Sequence, residues 1–233
     1  MSFEMTPKSL RDLCRQNNGY AHCPELNDVL HLQCKGITEL AALEEYTGLK
    51  TLYLESNALA ELEGLMHLSL LRNLYLANNF LCSLSGLEKL QQLQTLDVSN
   101  NHLEEVEPLF AELPLLATLN LSGNRLQKRA SIEVLAQCPS LVSLDLSKNK
   151  LDDEGALDLI KTLPLSLLKL DGNPLLSSTR NYRKGVLAAM GATLNYLDES
   201  PAFPKDKRLA LAYMRGGLEA EKAERETIKA EEE

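Results

Sequence analysis

The sequence predicts an α/β solenoid: a curved stack of short repeats with a parallel sheet on its concave face, a helical cap in front and a repeat-like cap behind. Three observations carry that expectation. Of 233 residues, 52 are leucine, against four Phe and no Trp, so the chain can bury a core only as an aliphatic one built by repetition. Six consecutive segments fit one pattern, LxxLxLxxNxL, with Val98 standing in one leucine slot: LKTLYLESNAL, LRNLYLANNFL, LQTLDVSNNHL, LATLNLSGNRL, LVSLDLSKNKL and LSLLKLDGNPL. Their asparagines, Asn57, Asn79, Asn101, Asn124, Asn149 and Asn173, lie 22, 22, 23, 25 and 24 residues apart by subtraction. Self-similarity at such a period marks a stack of one supersecondary unit.

Each part of the repeat has a physical reading. In Leu52-Tyr53-Leu54 a period of two turns both leucines inward and leaves the middle side chain outside, so every copy supplies one short strand. The Asn falls where the chain turns inward off the strand. Its amide can donate to and accept from backbone groups the turn leaves unpaired, forming an internal ladder. Leucines then continue at a period of three (Leu59, Leu62, Leu65), which suits a tight extended or 3₁₀ segment on the outer side. The longer copies have room for helices, and Ser131 to Cys138 and Asp153 to Leu163 carry helical spacing with Ser131 and Asp153 as N-caps. A weaker first copy has Leu30, Leu32 and Ile37 in register but Lys35 in the Asn slot.

The ends must cover a leucine layer. Residues 1–25 are expected to hold an N-terminal cap helix, with Thr6-Pro7 as its start, Leu10, Leu13 and Cys14 on its inner face, and Asn17-Asn18-Gly19 as its stop. Repeats occupy 26–176. A C-terminal cap over 177–200 is expected to start at Ser177 or Ser178, run helical through Met190 and end on the strand-like Thr193 to Asp198. After Pro201 the composition changes: 201–233 begins extended, turns helical from about Asp206 and is interrupted at Gly216-Gly217. From Leu218 the run LEAEKAERETIKAEEE has almost no apolar face, and a solvated, fraying helix or disorder is expected, with Leu218 and Ile228 unable to anchor it. Because the chain stops inside this charged run, a longer protein is expected.

Charge and chemistry exclude several functions. Net charge is −9, from 33 acidic and 24 basic residues, the wrong sign for phosphate backbones or anionic lipid. The segment MSFEMTPKSLRDLC is too polar for a signal peptide, and no stretch reaches the ~18 apolar residues of a membrane span. Five scattered cysteines (Cys14, Cys23, Cys34, Cys82, Cys138) read as reduced thiols in a cytosolic protein. Cys14, His22, Cys23 and Cys34 lack the paired spacing of structural zinc, and Cys138 reads as core. No GxSxG, Walker A, HExxH or CxxC pattern is present. Asp97 and Asp145 could form a carboxylate pair about 10 Å apart, two strand spacings, but no third group accompanies them. A non-enzymatic binding module without cofactor or metal follows.

The repeat fixes which side chains face out of the sheet. The candidate partner-binding residues are Tyr53, Glu55, Asn73, Tyr75, Thr95, Asp97, Asn120, Asp145 and Lys169. Tyr53 and Tyr75 stand side by side as interface anchors, next to an acidic and amide strip. If the face binds, the tyrosines suit an apolar or extended segment and the aspartates a basic one; a generic polar surface is the alternative. A second contact is expected around Phe203, Lys205, Asp206 and Arg215.

The repeats resemble the 22-residue subclass of leucine-rich repeats, found in a phosphatase-1 regulatory subunit, a spliceosomal protein with an RNA-binding partner and several ciliary proteins. Asn181-Tyr182-Arg183 with Tyr196-Leu197-Asp198 resembles the C-terminal cap of that subclass. The flanks are more specific. LRDLCRQNNGY, the stretch from PELNDVLHLQCKGITEL to the first full repeat, and YLDESPAFPKDKRLALAYMRGGLEAEKAERE closely resemble the leucine-rich-repeat axonemal dynein assembly factors, the dynein axonemal assembly factor 1 family. Segments the repeat does not demand, Phe203-Pro204-Lys205-Asp206 and Arg215-Gly216-Gly217, belong to this resemblance; Lys35 in the Asn slot is a departure that touches the solenoid only.

The resemblance implies a scaffold or adaptor for cytoplasmic preassembly of axonemal dynein arms in cilia and flagella. The partners it implies are axonemal dynein subunits, chaperones or other assembly factors, not nucleic acid or membrane, with the chain a monomer in the cytoplasm and also present in the cilium or flagellum. The rival is a regulatory subunit that holds a protein phosphatase on the same concave face. A histone or nuclear acidic chaperone would need a longer acidic run than Glu231-Glu232-Glu233.

Overall fold

The computed structural model describes residues 3–232; Met1, Ser2 and Glu233, the outermost residues of the expected end segments, lie outside them. Helix α1 (Pro7–Gln16) starts where a capping box satisfies its first turn. The Thr6 hydroxyl accepts from the Ser9 N–H at 3.1 Å, and the Ser9 hydroxyl accepts from the Thr6 N–H at 2.9 Å. Leu10, Leu13 and Cys14 are its buried face, as the spacing predicts. Cys14 Sγ meets the Tyr46 hydroxyl at 3.6 Å, which keys the cap to the first turn of the solenoid. Burial, then Cys14, push the Tyr46 phenol well above its usual pKa.

Strands β1 (Val29–His31), β2 (Thr51–Tyr53), β3 (Asn73–Tyr75), β4 (Thr95–Asp97), β5 (Thr118–Asn120), β6 (Ser143–Asp145), β7 (Leu167–Lys169), β8 (Tyr196–Leu197) and β9 (Ser200–Pro201) form one sheet in chain order. Pairing is parallel from β1 to β8 and antiparallel only at β9. The register stacks Leu30, Leu52, Leu74, Leu96, Leu119, Leu144 and Leu168 in one column, each at most 2% exposed. Each such side chain contributes about 2 kcal/mol of burial. The sheet lines the concave face of a curved leucine-rich-repeat solenoid.

The asparagine ladder is present. Asn101 Oδ1 accepts from the Leu81 N–H, while its Nδ2 donates to the carbonyls of Leu76 and Val98, all at 3.0 Å. Each amide therefore bridges its own turn and the preceding one. In the first copy the backbone N–H groups of Lys35 and Ile37 both donate to Asn57 Oδ1 at 3.0 Å, so the neighbour's amide serves the turn whose own slot holds lysine. At the far end Asp198 takes over. Its Oδ1 accepts from the Leu170 N–H at 2.8 Å and its Oδ2 from the Tyr182 hydroxyl at 3.2 Å. Arg183 donates to the carbonyls of Leu197 and Pro201, both at 3.0 Å. The two C-terminal cap segments are thus interlocked.

Three local expectations are corrected. The outer segment at Arg129–Gln137 is a 3₁₀ helix after Lys128, not an α-helix capped by Ser131. The Ser131 carbonyl accepts from the Val106 N–H of the preceding repeat at 2.7 Å, so it is taken by a neighbour rather than by its own helix. The Ser131 hydroxyl donates to the Lys128 carbonyl at 2.6 Å instead of capping. By contrast Asp153 caps α2 (Glu154–Ile160), accepting from the Gly155 N–H at 2.8 Å. Second, Ser177 and Ser178 end a short helix, α3 (Pro174–Ser178), rather than starting one. Proline at its first position suits an N-terminus, and α4 (Tyr182–Met190) begins afresh after Asn181, whose φ is 55°.

The third correction concerns the charged tail. Helix α5 (Pro204–Glu232) breaks at Gly216-Gly217, where Gly217 has φ 68°, and its second arm folds back along the first. Ile228 is only 6% exposed and Glu221 8%; neither is solvated, although Leu218 is. Arg208 on the first arm pairs with Glu224 at 2.7 Å and also with Glu231 on the second. Those partners lie 16 and 23 residues away, beyond any spacing a helical wheel displays. The first arm also packs on α4, with Leu209 and Ala210 buried.

Candidate functional site: the concave face

All nine expected concave residues are half-buried. The register sets His31, Tyr53, Tyr75, Asp97, Asn120, Asp145 and Lys169 in one row across the sheet. Neighbouring strands lie about 4.8 Å apart, close to the thickness at which flat rings stack. The Tyr53 and Tyr75 rings are parallel within 6° at 4.8 Å, and His31 stacks on Tyr53 at 4.8 Å and 4°. His31 is the residue sequence reasoning missed. Its signal was present, since Leu30 and Leu32 put it one 22-residue step before Tyr53.

The polar half of the row is bonded to itself. Asp97 Oδ1 accepts from the Ser99 N–H at 2.9 Å, and its Oδ2 from Asn120 Nδ2 at 3.0 Å. Asn120 Oδ1 accepts from the Ser122 N–H at 3.0 Å. Asp145 Oδ1 takes both the N–H and the hydroxyl of Ser147, at 2.9 and 2.6 Å. Lys169 lies between Asp145 at 3.8 Å and Glu199 at 3.6 Å. In the adjacent row Asn73 donates to the Thr51 hydroxyl at 3.1 Å; Thr95 stands next to Asn73 in register. These side chains are held in place before any partner arrives, which lowers the ordering cost of binding.

Glu55 differs. Its Oε2 is buried with no hydrogen-bond partner among the described residues, an arrangement that costs free energy. Burial first, then Tyr53, Asp97 and Glu55, raise the Tyr75 phenol above its usual pKa, so the hydroxyl stays protonated at neutral pH.

The second expected group is not gathered into one site. Lys205 and Asp206 border a cavity of about 460 Å³ between α4 and the two arms of α5. Phe203 is 60% exposed, and Arg215 lies about 15 Å further along the helix axis. In that cavity Lys184 bonds Glu221 and sits 4.0 Å over the Tyr213 ring. Among the described residues no group of three or more His, Cys, Asp or Glu could hold a metal ion. Nor is any helix long and apolar enough to cross a membrane.

Comparison with known proteins agrees with this architecture. The family described as the NXF1/2/3/5 leucine-rich repeat domain matches residues 109–192, and that of leucine-rich repeats in two copies matches 69–111. The leucine-rich repeat domain of APL1B superposes with a TM-score of 0.58 at 25% identity, over 86% of this chain and 60% of that one. An internalin from Listeria monocytogenes gives 0.54 at 23%, over 71% and 52%, and bears on the fold alone. Among curated proteins, the dynein axonemal assembly factor 1 homolog of Drosophila melanogaster is 46% identical over 222 residues, 94% of this chain. The chain is homologous to dynein axonemal assembly factor 1. The human protein of that name is 45% identical over 98% of this chain, and the leucine-rich repeat-containing protein ODA7 of Chlamydomonas reinhardtii 44% over 98%. The chain spans 15% of the fly protein, 31% of the human one and 52% of the algal one. The aligned region, 98% of the chain for the human and algal proteins, extends into both caps and α5, so the likeness is not one of repeats alone.

Proposed function

We propose that this chain is a non-catalytic scaffold in the preassembly of axonemal dynein arms, acting in the cytoplasm before the arms reach the cilium or flagellum. The observation that carries the reading is identity of 44 to 46% with dynein axonemal assembly factors over 94 to 98% of the chain. The concave face supplies the binding surface in this reading. A row of stacked rings beside fixed polar groups matches what interface anchors require: large area and little conformational entropy to lose. Its partners are dynein subunits, chaperones or other assembly factors. Affinity capture from cytosol of ciliated cells, with the whole chain as bait, tests this. Enrichment of dynein-arm subunits or their chaperones over a control leucine-rich-repeat chain is expected. Recovery of a phosphatase catalytic subunit without any of these would overturn the reading.

A further inference from the structure

Across the row the side chains change height. His31, Tyr53 and Tyr75 form a stack, and the next strands offer the shorter Asp97, Asn120 and Asp145. One face of Tyr75 is covered by Tyr53. Its other face overhangs Asp97, because a phenol ring extends further from the backbone than a carboxylate. The stack therefore ends in a step whose wall is an aromatic face and whose floor is acidic and amide. Asp145 has Lys169 as a cation, whereas Asp97 has no ion pair among the described residues. Glu55, two residues past the end of the strand behind the wall, keeps a buried oxygen with no hydrogen bond among the described residues.

We infer that this step is a slot for an arginine side chain of an extended, basic partner segment, with the guanidinium stacked on the open face of Tyr75 and paired to Asp97. Geometry favours arginine over lysine. A planar guanidinium stacks on a ring while its N–H fork stays in plane for the carboxylate, and an ammonium lacks that plane. Both Asp97 oxygens already accept one bond each, and each keeps a lone pair for a further donor. Lys169 at the far end of the floor repels a second cation and limits the slot to one. The Glu55 carboxylate adds negative charge next to Tyr75 and so favours a basic segment. The inference rests on the concave-face reading above and narrows it to a residue type.

The test uses two fluorescein-labelled pentapeptides, Arg-Leu-Arg-Leu-Arg and its lysine counterpart, titrated into the whole chain at low ionic strength with anisotropy as the readout. The arginine peptide is expected to bind about threefold to fivefold more tightly. Tyr75→Leu, checked for an unchanged melting curve, is expected to erase that ratio. Asp97→Asn keeps the carbonyl oxygen that holds Ser99, and is expected to weaken both peptides and flatten the salt dependence. Equal binding of the two peptides, a ratio that survives Tyr75→Leu, or no binding of either overturns the slot. Dynein-arm proteins still captured by the chain in that case would leave the scaffold reading standing and remove only the arginine.

Discussion

Asn101 shows what one side chain contributes to this fold. Its amide holds the Leu81 N–H and the carbonyls of Leu76 and Val98 inside a leucine core. Asn101→Ala strands the Leu81 N–H, while the carbonyls of Leu76 and Val98 each lose one of two amide donors and keep Asn79 and Asn124; a buried unsatisfied group costs about 1–3 kcal/mol. The expected loss is about 2 kcal/mol, read from urea unfolding; a loss below about 0.5 kcal/mol contradicts the ladder's role. The cysteines give a second residue-scale test. Cys34 and Cys82 are exposed, whereas Cys14 and Cys138 are buried, and burial pushes the Cys138 thiol up to about 11. A maleimide at pH 7 is expected to label Cys34 and Cys82 quickly and Cys14 and Cys138 only after denaturation. Rapid native labelling of Cys14 would show that α1 does not cover the first repeat. The ladder was legible because one letter, Asn, performs one task at one place. The bonds that occupy Asp97 and Asp145 were not, because one bond of each runs to the backbone N–H two residues on, which every residue but proline carries, and the others depend on which side chain, Asn120 or Ser147, turns toward the carboxylate.

The hairpin of α5 makes the next scale testable. Its second arm is held by Ile228, by Arg208 with Glu224 and Glu231, and by Glu221 with Lys184 of α4. Ile228→Asp is expected to release that arm, so that trypsin cuts beyond Gly217 while the solenoid's unfolding midpoint stays put. An unchanged digestion pattern would argue that Ile228 is not an anchor. Acid should act the same way. Lys184, before all other causes, holds the Glu221 carboxyl below its ordinary 4.5, and Arg208 does so for Glu231. Such depressed groups stabilise docking above the unfolded value, and the contribution is lost as pH falls below 4.5 through the folded values. Protection of the second arm's backbone amides, taken relative to their intrinsic exchange rate at each pH, is therefore expected to fall below pH 4.5 while the leucine columns stay protected; uniform loss would contradict it. The sequence announced the Gly216-Gly217 break but not the fold-back, since only the reversal itself brings residue 208 to residues 224 and 231. Similarly, the 3₁₀ form at Arg129–Gln137 depends on a bond from Val106, outside any local window.

At the scale of the molecule, stability and recognition share one cause, the repetition of a strand every 22 to 25 residues. Stacking buries the leucine columns, and the same register lines up the outward row, so the candidate surface arises from the periodicity that builds the core. What varies along the row, rings first and then acids, amide and lysine, is free to carry specificity because none of it is needed inside. The fold and the outward positions could be read from period and pattern alone; the partner could not, because many functions share such a face. The central claim is that this face, at its aromatic end, holds a component of dynein-arm assembly. The direct measurement is affinity capture from cytosol of ciliated cells with the wild type beside Tyr53→Ala/Tyr75→Ala/Asp97→Asn, matched for thermal stability. Dynein-arm subunits or their chaperones on the wild type and their loss on the folded variant are the predicted result. Equal capture by both would contradict it and move the interaction to the convex side or to α5.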